Sequence, residues 1–177
     1  MKILYFACLA ALLGVVSVFA TAPAKNVRVE VLFDHPGKFT DVRDSQLGSD
    51  KGRDAYLEEL KDYLQERAAH LLVEGQTLTV AFTDVDLAGE FEPWRGPNYG
   101  DIRVIKDIYP PRLNFTYKVV DASGALVKEG QEKLRDTAFQ SSTNPFNSQE
   151  SLHYEKALLD NWLRRQDWKP QPVASAP

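Results

Sequence analysis

The stretch "LNFTYKVVDASGALVKEGQEKL", residues 113–134, decides the fold. Its first part alternates apolar and polar side chains, which is the period-two pattern of a strand with one buried face. "DASG", residues 121–124, has the composition of a tight turn, and residues 125–134 are predicted to return as the hairpin partner. The stretch therefore predicts an antiparallel hairpin late in the chain.

A first strand and a long helix are predicted upstream of the hairpin. Residues 27–33 alternate valine with charged side chains, as a half-buried strand does. Ser49 or Asp50 is suited to cap the helix that follows, in which leucines recur at helical spacing. Gly75 supplies the stop signal for this helix.

Three more elements complete the predicted order. Leu78, Val80 and Phe82 alternate with polar residues as a second strand, and the apolar segment 102–108 is a further candidate strand. Leucines and Trp162 mark an amphipathic final helix. The order β-α-β-(β)-β-β-α predicts an α+β fold, with a mostly antiparallel sheet of four to five strands and two helices packed on one face.

The N-terminus has the features of a secretory signal peptide. Lys2 is followed by an apolar run from Ile3 to Ala20, with small residues at the end of the run. An uncleaved membrane anchor is the alternative, because the run approaches the length that spans a bilayer. We expect cleavage after residue 20, or as late as residue 24, which leaves one α+β domain over 25–168, a disordered tail over 169–177 and a periplasmic location.

Composition excludes several classes of function. The only cysteine, Cys8, lies in the predicted signal peptide, so the mature chain has no thiol for disulfides, catalysis or metal binding. The 25 acidic and 21 basic residues are interspersed and form no basic stretch, so we expect the protein not to bind nucleic acid. No second apolar run is long enough to insert the mature chain in a membrane. The spacing of the three histidines does not predict a zinc site, and no cofactor is expected.

The stretch "FTDVDLAGEFEPWRGP", residues 82–97, holds the candidate site. If the second strand continues without a bulge, Asp84 and Asp86 share the buried face of Phe82. Burying two unpaired carboxylates costs several kcal/mol. A bulge would instead turn Val85 and Leu87 inward and both aspartates to water.

Four carboxylates in this stretch raise the possibility of a cation site. They are Asp84, Asp86, Glu90 and Glu92. Oxygen ligands of this kind suit calcium outside the cytosol, although the spacing differs from that of an EF-hand loop. The same carboxylates are also suited to act on a small polar substrate.

A second set of residues suggests a recognition surface. It comprises Trp94, Arg95 and Tyr99, and the nearby Arg103 and Lys106 are further candidate binding residues. Tryptophan, tyrosine and arginine dominate the energetics of protein interfaces. The alternative is a rigid turn in which Arg95 pairs with Glu90 or Glu92. In either case the four carboxylates of residues 84–92 can be balanced by nearby basic residues, namely Arg103, Lys106 and Arg112. A separate motif, "VRDS" at residues 42–45, is interpreted as a solvated ion pair.

Sequence motifs for catalysis are missing. The chain has no G-x-S-x-G elbow, no S-x-x-K motif and no phosphate-binding glycine loop. The sequence therefore favours a non-enzymatic protein.

Several segments together resemble one known family. "KFTDVRDS", "SDKGRDAYLEEL", "DIRVIKDIYPPR" and "HYEKALLDNWLRR" are similar to secreted bacterial proteins catalogued as domain of unknown function 3016. The resemblance implies a periplasmic proteobacterial protein and carries no activity or catalytic residue. We expect a non-enzymatic binding or accessory protein that contacts an envelope protein through residues 90–112; the alternative is the carboxylate site, binding calcium or acting on a small polar substrate.

Overall fold

A four-stranded sheet with two helices organises the chain. The computed structural model describes residues 28–96 and 99–169, so the predicted signal peptide and residues 170–177 of the predicted tail lie outside the described residues. The elements are β1 (Val29–Phe33), α1 (Asp50–Ala69), β2 (Thr77–Asp86), β3 (Glu90–Phe91), β4 (Arg103–Val104), β5 (Arg112–Val120), β6 (Leu126–Arg135) and α2 (His153–Arg165).

The main sheet has the strand order β1-β2-β5-β6. β1 runs parallel to β2, whereas β2–β5 and β5–β6 are antiparallel pairs. The β5–β6 hairpin is the one predicted, and Asp121 organises its turn by accepting from the backbone N–H groups of Ser123 and Ala125. The predicted α+β fold with a mostly antiparallel sheet is therefore confirmed.

The long helix begins where the sequence predicts and ends earlier. The Ser49 side chain accepts a hydrogen bond of 2.9 Å from the Gly52 N–H, which caps α1. The helix ends at Ala69, well before Gly75, which takes a positive φ of 80° in the turn to β2. Arg28, immediately before β1, donates to the carbonyl oxygen of Ala69 at the end of α1 and to two carbonyl oxygens in the turn that follows, so its side chain satisfies part of this C-terminus.

Both helices bury their apolar faces against one side of the main sheet. The fully buried residues include Leu60, Leu64, Phe82, Phe115, Leu159 and Trp162. The rings of Phe115 in β5 and Trp162 in α2 meet edge to face with their centroids 4.8 Å apart. Asp160 of α2 is also buried and accepts from Arg67 of α1 at 2.7 Å, so an ion pair joins the two helices.

The candidate strand at residues 102–108 is not part of the main sheet. Only Arg103–Val104 is extended, and it pairs with Glu90–Phe91 as a separate two-stranded sheet. The apolar residues of this segment do not alternate with period two, so they cannot all face one core. Residues 87–111, with 97 and 98 outside the described part, thus leave the main sheet between β2 and β5; we call them the β2–β5 excursion. Among the described residues, no helix has the length and apolar character needed to cross a membrane.

Candidate functional site

A β-bulge determines where the acidic end of β2 points. The pairing with β5 shifts register between Phe82 and Asp84. Val85 is fully buried after the shift, and Asp84 and Asp86 lie on the opposite face, both partly buried. Of the two alternatives posed by the sequence, the bulged strand is the one observed.

Each of these aspartates has its own partner. Asp84 accepts hydrogen bonds from the Thr40 backbone N–H at 2.7 Å and from its hydroxyl at 2.9 Å. Asp86 accepts from Arg112 Nε at 2.7 Å. Burial raises the pKa of Asp86, and the hydrogen bond from Arg112 only partly opposes this. Arg112, rather than Arg103 or Lys106, therefore balances the acidic end of β2.

Asp41, which the sequence did not single out, is the most highly connected carboxylate of the site. Its side chain is 3% exposed and accepts from Arg43 Nε at 2.9 Å and from both terminal nitrogens of Arg103. Burial alone would raise the pKa of Asp41, but the hydrogen bonds and charges of Arg43 and Arg103 hold it below its usual value. Asp41 is thus a paired, ionised carboxylate.

Two guanidinium groups surround Phe91 at the base of the excursion. Arg43 donates to Glu90 at 2.8 Å, and the guanidinium carbons of Arg43 and Arg103 lie 5.6 and 4.6 Å from the centre of the Phe91 ring. The interpretation of "VRDS" as a solvated ion pair is therefore wrong, because Arg43 reaches Asp41 and Glu90. The cluster of Asp41, Arg43, Glu90 and Arg103 joins the excursion to the loop after β1.

Glu92 fixes a second part of the excursion. It is 1% exposed, accepts from Lys106 Nζ at 2.5 Å and from the Tyr109 hydroxyl at 3.0 Å, and lies 3.5 Å from Arg95 Nε. The hydrogen bond from Lys106 lowers the pKa of Glu92. The predicted pairing of Arg95 with a nearby glutamate is therefore present, with Glu92 as the partner.

Apolar side chains project from the excursion into solvent. Trp94 is 71% and Ile108 is 71% exposed. Arg95 lies 5.2 Å above the Tyr99 ring. We refer to the exposed set as the apolar rim, which consists of Trp94, Tyr99, Ile102, Ile105 and Ile108.

The structure does not bring the nine predicted residues into one pocket. Asp84 and Asp86 lie at the end of β2, Glu90 and Arg103 belong to the Asp41 cluster, and Glu92 holds Lys106 and Arg95. Trp94 and Tyr99 lie on the rim. Within residues 28–96 and 99–169, no group of three or more His, Cys, Asp or Glu side chains is placed to hold a metal ion, so the geometry gives the calcium alternative no support.

A buried glutamate on α2 also escaped sequence reasoning. Glu155 is 2% exposed, and one of its oxygens accepts from the Ala88 N–H at 2.6 Å. Burial raises the pKa of Glu155, against the smaller effects of that hydrogen bond and of Arg103 and His153. Glu155 lies four residues before Leu159 and seven before Trp162, so helical spacing places it on the buried face of α2. Its partner, the Ala88 N–H, comes from the excursion, a distant part of the chain that this spacing does not reveal.

The fold and the site together describe a small α+β domain in which ion pairs to buried carboxylates support a segment with exposed apolar side chains. The chain belongs to the family described as "Protein of unknown function (DUF3016)", whose model matches residues 27–165. Comparisons with curated proteins and with solved structures found no match.

Proposed function

We propose that this protein is a non-enzymatic binding or accessory protein of the cell envelope that contacts a protein partner through the apolar rim. The observation that carries the proposal is the exposure of Trp94 and Ile108, each at 71%, on a segment held in place by ion pairs to the buried carboxylates of Asp41 and Glu92. Large apolar side chains exposed on one ordered segment are suited to contact a partner, and tryptophan is enriched among the residues that dominate binding energy.

The support beneath the rim strengthens the proposal. Arg103 is bonded to Asp41 below one part of the excursion, and Lys106 is bonded to Glu92 below another. The Arg103–Asp41 pair connects the segment to the loop after β1, and the Lys106–Glu92 pair joins two parts of the segment itself. Both bonds reduce the freedom of the segment before a partner arrives. A surface ordered in advance loses less conformational entropy on binding, which favours its use as a contact surface.

The envelope location rests on the sequence of residues 1–24, which has the pattern of a secretory signal peptide. The partner expected in that compartment is another envelope protein. Secretion is tested separately by fractionating cells and determining the N-terminal residue of the mature protein, which we expect to follow residue 20 or a position up to 24.

Site-specific photocrosslinking in cells tests the contact surface. A photoreactive residue at position 94 or 108 should give one discrete adduct, and the same residue at Asp62, exposed on α1, should give none. Ile108→Asp should abolish the adduct formed from position 94 while leaving the thermal midpoint unchanged, because Ile108 is exposed. Adducts of equal yield from all three positions, or none from the rim, would refute the proposal.

A further inference from the structure

Four charged residues form a row across the end of the main sheet. Asp41 pairs with Asp86 in a parallel bridge, Asp86 pairs with Arg112, and Arg112 pairs with Arg135. Directly paired residues of neighbouring strands project from the same face of a sheet. All four line one cleft of about 190 Å³, whose other wall includes Ile108 of the excursion.

The charges of this row are not balanced at one end. Asp41 is bonded to Arg43 and Arg103, and Asp86 is bonded to Arg112. Arg135 is exposed, and its side chain makes no hydrogen bond or ion pair with any residue in the described part of the chain. It lies opposite Arg112, and like charges in directly opposed positions destabilise a sheet.

The two arginines have donors to spare. A guanidinium carries five N–H donors in a planar fork, and Asp86 engages Arg112 through Nε and one terminal nitrogen only. The remaining terminal nitrogen of Arg112 and the whole fork of Arg135 can therefore receive an anion at the mouth of the cleft. Such a ligand would supply the negative charge that the opposed pair lacks.

We propose that Arg112 and Arg135 bind a carboxylate group of a polypeptide partner. The inference deepens the proposed function and rests on it for the source of the carboxylate. Asp86 already neutralises one of the two guanidiniums, so the local charge suits a monoanion better than a phosphate dianion, which Asp84 and Asp86 would repel.

Size and position select the partner chemistry. Sites that enclose a whole small molecule measure about 300–1,000 Å³, and this cleft of about 190 Å³ is smaller. It has room for one acidic side chain or a chain end. Ile108 belongs both to the cleft wall and to the apolar rim, so the carboxylate would enter beside an apolar contact of the same partner.

NMR of arginine side chains in the purified protein tests the site directly. The probes are the capped peptides acetyl-Leu-Glu-Leu-amide and acetyl-Leu-Gln-Leu-amide, and acetyl-Leu-Leu with a free terminal carboxylate. We expect saturable shifts of the Arg112 and Arg135 Nε–H signals with a carboxylate peptide and none with the glutamine peptide. A response to the first peptide identifies a side chain as the ligand, and a response to the third identifies a chain end.

Variants make the result specific. Arg135→Gln should lower the affinity for the carboxylate peptide about tenfold. Arg53→Gln, which removes a guanidinium from the surface of α1, should leave the affinity for this peptide unchanged. Equal shifts with the glutamine peptide, or no shift with either carboxylate peptide, would overturn the site. If a carboxylate peptide binds but positions 94 and 108 give no crosslink, the proposed function is refuted and the carboxylate site stands. If the crosslinks form but no carboxylate peptide binds, the carboxylate site is refuted and the proposed function stands.

Discussion

Arg103 donates hydrogen bonds to both carboxylate oxygens of Asp41, at 2.9 and 3.2 Å, across 62 positions of sequence. The same guanidinium donates to the carbonyl oxygens of Gly89 and Arg43. One side chain thus joins the β2–β5 excursion to the loop that follows β1. The arrangement places the apolar rim on a base that is largely buried and internally bonded.

Replacing Arg103 by glutamine should destabilise the protein by about 2–3 kcal/mol, because it leaves Asp41 buried with Arg43 as its remaining partner. Urea unfolding at neutral pH measures the loss. The folded-state pKa of Asp41 lies below its unfolded value, so the stabilisation from this carboxylate is present above about pH 4 and is lost as pH falls further. The difference in free energy of unfolding between the wild type and Arg103→Gln should therefore become smaller below about pH 4.

A matched surface pair serves as the control for that experiment. Lys61 bonds Glu58 one turn away on α1, and Lys61→Gln should change the free energy of unfolding by less than about 0.5 kcal/mol. A loss of the same size for both variants would show that the Asp41–Arg103 contact has no special structural role.

The bulge in β2 predicts opposite outcomes for two nearby substitutions. Val85→Asp places a carboxylate at a fully buried position and should cost about 4 kcal/mol or more. Thr83→Asp adds the same group at an exposed position and should cost less than about 1 kcal/mol. Chemical denaturation of both variants checks the expectation, which would be wrong if Thr83→Asp were the more damaging change.

The elements of the main sheet could be predicted from the sequence because each is signalled by residues that lie close together in the chain. The alternation in β5, the turn at Asp121 and the cap at Ser49 each depend on residues a few positions apart. Even the bulge was visible as one of two alternatives, since Val85 and Leu87 offered a second apolar face. The energetic cost of burying two aspartates favoured that alternative.

The partners of the charged residues could not be predicted in the same way. Asp41 meets Arg103 only because the excursion folds back over the end of β2, and no spacing in the sequence encodes that path. Arg43 stands next to Asp44 in sequence, yet Asp44 accepts from Ser49 while Arg43 reaches Glu90. Long side chains have many partners within reach, so their choice depends on tertiary structure.

The exposure of Trp94 can be measured in the free protein. Trp94 is 71% exposed, whereas Trp162 and Trp168 are 1% and 7% exposed. Acrylamide should therefore quench one component of the fluorescence readily, and Trp94→Phe should remove that component while retaining the blue-shifted emission of the buried pair. Unchanged quenching in the variant would mean that Trp94 is covered, and the apolar rim would lose its central residue.

Glu155 should give the protein a stability that declines as the pH rises. Its folded-state pKa is raised by burial, so the carboxyl is protonated in both states below about pH 4.5 and carries no penalty there. As pH increases through the interval between the unfolded and folded values, the unfolded state releases its proton first and is favoured. The penalty then stays constant above the folded value.

Glu155→Gln removes this titration while keeping an oxygen that can accept from the Ala88 N–H. The variant should match the wild type in acid and should be more stable at pH 7, with a rise in thermal midpoint of about 3 °C or more for each kcal/mol gained. Urea unfolding from pH 4 to pH 8 follows the difference. As a control, Glu66→Gln, at an exposed position of α1, should show the same dependence of stability on pH as the wild type. If the free energy of unfolding of Glu155→Gln also changed with pH as that of the wild type does, the charges of Arg103 and His153 would already offset the burial of this carboxyl.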